Sequence, residues 1–319
     1  MPSLFALALS AAAGSQPFAL GIISGVKGST PQKQGAKALF FPDGPLAGTL
    51  GGGCLEAEVR RLALASLKDG RPASFDLLLD HDFGWDDGLI CGGKVYGLIL
   101  PDAARYLEMW KELARRERSR TWGIDENFAV RWFDPSVETW HYKETVSPPC
   151  ALWIAGSGHI ARAVAPLALQ LDFDVTVFDD RPALANSQFY PAGIHLRVDY
   201  WDKLLADKLS DRPTLGLIVT RGHQHDASVL KSWIQKPFAF LGMIGSKRKK
   251  RIIFSHFVEE SVATAEQLNA VACPVGLDID AVSVQEIAVS IAAQLVQKRA
   301  ALLHARPHRS VKQLEACAT

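Results

Sequence analysis

The chain has 319 residues, enough for two domains that each bury a core of their own. Hydrophobic residues make up 48% and charged residues 22%, with a formal net charge of +1, so neither nucleic-acid binding nor bulk membrane binding has an electrostatic basis. No apolar run approaches the ~18 residues that span a bilayer.

MPSLFALALSAAAGS opens the chain without Lys or Arg ahead of its apolar stretch, so it reads as an amphipathic first helix and not as a signal peptide. Phe18 to Val26 and Lys37 to Phe41 read as strands around the polar loop Lys27-Gly28-Ser29-Thr30-Pro31. A Pro42-Asp43-Gly44 turn leads to a hairpin partner at Leu46 to Leu50. Leu55, Val59, Leu62 and Leu67 then line one helical face, which Gly70 and Pro72 stop. Phe75 to Leu79 and Val95 to Leu100 are further strands, flanking the acidic stretch of Asp80, Asp82, Asp86 and Asp87, which most simply faces water. A polar helix from about Pro101 to Arg120 and two short strands follow, ending at Lys-Glu-Thr-Val-Ser-Pro-Pro-Cys, whose Ser-Pro-Pro marks the linker. That places the domains at residues 1–147 and 148–319.

Beyond the linker the rhythm is strand then helix. Leu152 to Ala155, Val175 to Phe178, His195 to Val198, Leu215 to Val219 and Phe238 to Met243 are short apolar runs separated by helix-length segments. Such alternation implies a doubly wound parallel sheet, an α/β architecture. Ser283 and Glu286 form a capping box at the start of the last helix.

Two groups of residues carry chemistry. In the second half, Gly156, Gly158 and Ala161 stand at G-x-G-x-x-A spacing between a strand and a helix opening at His159, where backbone N–H groups and the dipole suit a pyrophosphate. Asp179 ends the next strand, where a carboxylate takes ribose hydroxyls; it favours an unphosphorylated ribose, while Arg181 leaves a 2′-phosphate open. Arg221, His223, His225 and Asp226 follow the fourth strand, either as a polar loop or as a binding edge. Gly245, Ser246 and Lys247 follow the fifth and begin a helix suited to an anion; Lys249 and Lys250 belong either to that anion site or to a solvated basic face.

In the first half, Gly51, Gly52 and Gly53 precede Cys54 at a helix start. Backbone without Cβ atoms forms an anion cradle there, and the positive dipole end favours a thiolate, which is both a nucleophile and a soft metal ligand. Glu56 in the first turn either accepts a proton or complements the dipole. Cys91 precedes Gly92 and Gly93 in a second glycine loop. The plain alternative is small buried cysteines in tight turns. The five cysteines, scattered and without a CxxC pair, exclude a disulfide framework and a structural zinc site and place the chain in the cytoplasm.

KGSTPQKQGAKALFFPDGPLAGTLGGGCLEAEV, GLICGG, IAGSGHIARAVAPLA, VTVFDDRP, TRGHQHD, GMIGSKRKKR and PVGLDID resemble, in order, the xanthine dehydrogenase accessory proteins of the XdhC/CoxI family. The resemblance implies an N-terminal α+β XdhC/CoxI-type domain joined to a Rossmann-like domain. It implies a maturation factor more than a free-standing catalyst: one that binds molybdenum cofactor (molybdopterin), supports its sulfuration by a cysteine desulfurase and inserts it into an apo molybdenum hydroxylase. Gly51 to Cys54, Glu56 and Cys91 to Gly93 correspond to the family's two glycine-cysteine loops, with Cys54 as a molybdenum contact. NAD(P) is a second candidate ligand, and an NAD(P)-dependent oxidoreductase the alternative function. Residues about 101–149 match no family pattern. A two-fold homodimer is the default assembly.

Overall fold

The computed structural model describes residues 3–79 and 92–304, in two compact units divided between Pro148 and Pro149. The first unit opens with helix α1 (Leu4–Ala13), capped by the Ser3 hydroxyl, which accepts from the Ala6 N–H. Strands β1 (Ala19–Lys27), β2 (Lys37–Phe40), β3 (Ala47–Gly48), β4 (Ala73–Leu78) and β5 (Lys94–Leu100) form an antiparallel sheet in the order β3-β2-β1-β5-β4. β1 is apolar on both sides because both sheet faces are covered. Ala19 and Ile23 join Phe40, Val95 and Ile99 in a core with Leu55 and Val59 of helix α2 (Gly53–Asp69). Leu20 and Ile22 face the other way, into a core with Ala8 of α1 and Trp110 of helix α3 (Leu107–Arg115).

The middle of this unit corrects the sequence reading. The helix expected over Pro101 to Arg120 is a 3₁₀ turn, Ala103–Tyr106, followed by α3 alone. Arg116 turns left-handed (φ 49°), its N–H closing on the Glu112 carbonyl, and the helix ends. Three strands follow where two were expected: β6 (Arg120–Asp125), β7 (Val130–Trp132) and β8 (Trp140–Val146), ordered β7-β6-β8. Burying Trp122, Ile124 and Tyr142 beside Trp110 outweighs the helix propensity of the polar run, as tertiary packing commonly does. β8 ends at Val146, directly ahead of the Ser-Pro-Pro linker.

The second unit is a five-stranded parallel sheet: β9 (Ala151–Ala155), β10 (Asp174–Asp179), β11 (His195–Val198), β12 (Thr214–Ile218) and β13 (Phe240–Met243), in the order β11-β10-β9-β12-β13. Strand order reverses between β9 and β12, the switch point at which such sheets bind ligands. Helices α4 (His159–Gln170) and α9 (Val284–His304) cover one face through Val164, Ala168, Ile291 and Leu295. Helices α5 (Trp201–Ala206), α6 (His223–Trp233), α7 (Lys247–Glu259) and α8 (Ala265–Asn269) lie in the chain beside the other core, which buries Leu204, Trp233, Phe254 and Leu268. The capping box ahead of α9 is present: Ser283 N–H donates to Glu286 at 2.8 Å and Glu286 N–H to the Ser283 hydroxyl at 3.2 Å.

Candidate functional site

In the first unit, two glycine segments meet the loop that follows β1. Ser29 bridges Gly92 in parallel register, and a Cβ on Gly93 would fall 2.0 Å from the Ser29 carbonyl oxygen. No side chain fits there. The other side of the same loop receives Gly51, whose φ is +118° and whose Cβ would lie 2.6 Å from Pro31 Cβ. Residues 29–32 are therefore the common wall of both glycine segments, a role not visible in a polar loop read alone. Gly92 and Gly93 are further fixed by exchanging backbone hydrogen bonds with Leu79 at 3.0 and 2.8 Å. Cys91, like Asp80, Asp82, Asp86 and Asp87, lies outside the described residues.

Gly52 is the N-cap of α2, with φ +78° and open space where a Cβ would stand. Gly53 is exposed, and Cys54, half-buried with a free thiol, is the second residue of the helix. Glu56 folds back onto the loop: its Oε1 accepts from the Thr49 hydroxyl at 2.6 Å and the Leu50 N–H at 2.7 Å, while Thr49 Oγ1 accepts from the Gly51 N–H at 3.0 Å. Burial pushes the Glu56 carboxyl up, but the Thr49 hydroxyl and the N–H groups of Leu50, Gly52 and Gly51 outweigh it and hold it below its ordinary value. Backbone donors that the sequence offers to a guest phosphate thus face an anion of the chain's own. These contacts tie Glu56 to the loop ahead of the helix, a part that neither role read from the sequence describes.

In the second unit the named residues gather at the carboxyl edge of the sheet. Gly156 (φ +105°) lets β9 turn against the loop after β12, since a Cβ there would meet the Val219 carbonyl oxygen at 2.5 Å. Gly158 caps α4 and His159 opens it, exposed. Asp179 is buried and fully bonded within the chain, accepting from the Ser157 N–H at 2.6 Å and from Arg181.

After β12, Arg221 donates to Asp180 at 2.9 Å and lies 3.3 Å from His225 Nε2, while His223 begins α6 in solvent. After β13, the Ser246 hydroxyl caps α7 by accepting from the Lys249 N–H at 3.2 Å; Gly245 is half-buried and Lys247 exposed. Lys249 is not on a solvated face. Its ammonium pairs with Asp226, buried at 0%, and donates to the Ile244 carbonyl at 3.1 Å. Asp226 also accepts from the Thr220 N–H at 3.0 Å and its hydroxyl at 2.6 Å, so one ion pair ties together the loops after β12 and β13. A buried acid among histidines and a lysine early in α7 were the available signals, but nothing in their spacing pairs them. Among the described residues no three His, Cys, Asp or Glu side chains are placed to hold a metal ion.

A sulfhydryl on a glycine-walled loop in one unit, and a doubly wound nucleotide-type fold in the other, define a two-domain α/β protein of the Rossmann-containing class. The chain matches the XdhC Rossmann domain over residues 152–295 and the XdhC and CoxI family over residues 11–82. It belongs to the XdhC and CoxI family. It is 27% identical over 88% of its length to the uncharacterized protein YqeB of Escherichia coli, of which it spans only 43%. It is 26% identical to a Bacillus subtilis protein named as a probable xanthine dehydrogenase component, covering 88% of this chain and 92% of that one. It is 24% identical to the molybdenum cofactor insertion chaperone PaoD of E. coli, covering 86% and 81%. A crystal structure named as a xanthine dehydrogenase from Bacillus halodurans superposes with a TM-score of 0.79 at 27% identity, covering 95% of this chain and 97% of that one.

Proposed function

We propose that this protein is an accessory factor for a molybdenum hydroxylase of the xanthine dehydrogenase type. It binds molybdenum cofactor as cargo, holds it while a cysteine desulfurase supplies sulfur, and hands it to the apoenzyme. The names of PaoD and the B. subtilis relative support this direction. The observation that carries it is the loop at residues 49–54: three left-handed glycines, one packed on Pro31 and one facing open space, leading directly to a half-buried thiol.

The chemistry of the cargo suits that arrangement. Molybdopterin carries a phosphate, a dithiolene and a soft metal centre with exchangeable oxo and sulfido groups. Main chain without Cβ atoms admits close approach, and a thiolate is a ligand for soft metals. Cys54 contacts the molybdenum end or relays sulfur, Cys91 takes a secondary part, and Glu56 holds the glycine loop in shape. The Rossmann unit is not asked for hydride transfer. No helix among the described residues is long and apolar enough to cross a membrane. We place the work in the cytoplasm, with a homodimer as the assembly.

Co-expression with a recipient hydroxylase tests this. Wild type should raise the fraction of active, sulfido-bearing enzyme and Cys54→Ser should not; full activity with the variant removes Cys54 from the mechanism. Oxidation of NADH by the purified chain with carbonyl or purine substrates would favour the oxidoreductase alternative instead.

A further inference from the structure

Dinucleotide-binding units of this topology use an acidic side chain at the end of the second strand to take the ribose hydroxyls. Asp179 occupies that place, yet its side chain is 1% exposed and both oxygens are engaged. Oδ1 accepts from the Arg181 backbone N–H at 2.9 Å and from Arg181 Nε at 2.8 Å. Oδ2 accepts from the Ser157 N–H at 2.6 Å and from Arg181 Nη2 at 2.8 Å. An ionised carboxylate offers about four acceptor sites, and four donors fill them.

The segment after β10 is fastened over the same ground. The Ser157 hydroxyl donates to the Leu184 carbonyl at 2.9 Å and is 2.8 Å from the Tyr190 hydroxyl, with Ser157 and Tyr190 both buried. The Phe189 ring stacks 3.4 Å from the Arg162 guanidinium carbon. Ser157 is the middle residue of the Gly156-Ser157-Gly158 turn, so the covering segment is tied to the fingerprint itself. A ribose diol would have to displace a bidentate guanidinium, and its hydroxyls would then bond a buried carboxylate that has lost its countercharge.

We infer that Arg181 and the 184–190 segment close the ribose side of the crevice, so that this Rossmann unit rejects NAD(H), NADP(H) and other adenine dinucleotides. The residues therefore do not fit the nicotinamide cofactor that the fold alone suggests. The inference stands apart from the cargo proposed for the first unit, and its test leaves that cargo untouched.

The full chain is titrated with NAD⁺, NADH, NADP⁺ and NADPH to about 1 mM by calorimetry and by NADH fluorescence. Wild type should show no saturable binding. Arg181→Ala, which removes the two guanidinium donors, should gain NADH binding at least ~10-fold above the wild-type limit; Arg181→Gln serves if the alanine variant does not fold. Wild-type binding tighter than about 100 µM overturns the inference. A folded Arg181 variant that still ignores NADH overturns the part given to Arg181.

Discussion

Glu56 offers the sharpest test of how the glycine loop is held. Its Oε1 carries two hydrogen bonds, from the Thr49 hydroxyl and the Leu50 N–H, and it lies in the first turn of α2. Bonds to a charged acceptor contribute about 1.5–3 kcal/mol and neutral ones about 0.5–1.5 kcal/mol, with the helix dipole adding about 0.3–1 kcal/mol. The group is partly exposed, so screening favours the low end of each range. Glu56→Gln keeps an acceptor oxygen but not the charge, and should destabilise the first unit by about 1 kcal/mol. Glu56→Ala leaves the N–H of buried Leu50 without its acceptor and should lose about 2 kcal/mol.

The sign of the pH dependence is fixed too. The folded carboxyl titrates below its unfolded value of about 4.3, so its contribution is complete above that pH and is lost as pH falls through the lower, folded value. The Gln deficit should therefore shrink on acidification. Urea unfolding of the full chain at pH 7 and in the acid range, fitted as two transitions because there are two units, reads both effects. Equal stability of wild type and Glu56→Gln at pH 7, or a deficit that does not shrink in acid, would refute this role.

Gly51→Ala combines a φ of +118° with a Cβ 2.6 Å from Pro31 and should destabilise the first unit by about 2 kcal/mol or more; a urea midpoint within error of wild type would contradict that packing. Asp226→Ala strands Lys249 and the Thr220 N–H, and should lose about 3–5 kcal/mol from the second unit, while Asp226→Asn combined with Lys249→Met should lose clearly less. Additive losses in that double variant would show that the two side chains are not coupled. Burial raises the Asp179 carboxyl, but Arg181 and the Ser157 N–H hold it below its ordinary value, so its stabilisation is present above about pH 3.9 and lost below. Asp179→Asn should flatten the acid limb of the second unit's stability curve, and an unchanged limb would fault the assignment.

Much of this was legible because local signals and topology agreed. Short apolar runs separated by helix-length segments after residue 150 imply a parallel sheet, although the segment between β10 and β11 holds no helix, and Gly156 marks the switch point. Leu55 and Val59 show the buried face of α2, and Gly70 its left-handed end. The polar run to Arg120 misled because its helix stops at the left-handed Arg116, ahead of the strand that buries Trp122. Of the glycines singled out in the sequence, Gly51, Gly93 and Gly156 stand where backbone geometry admits no side chain. What stayed hidden were partnerships across the fold: the wall at residues 29–32, the Asp226–Lys249 pair, and the closure of Asp179 by Arg181. None of these has a spacing that announces it, since each depends on which loops the sheet order brings side by side.

The most direct measurement is molybdenum and pterin content per chain after strictly anaerobic isolation from cells making the cofactor, with wild type and Cys54→Ser side by side. Wild type should carry both in near-equal amounts and the serine variant, equally folded, should carry little of either. Equal loading of the two proteins, or none in the wild type, would contradict a carrier built around Cys54.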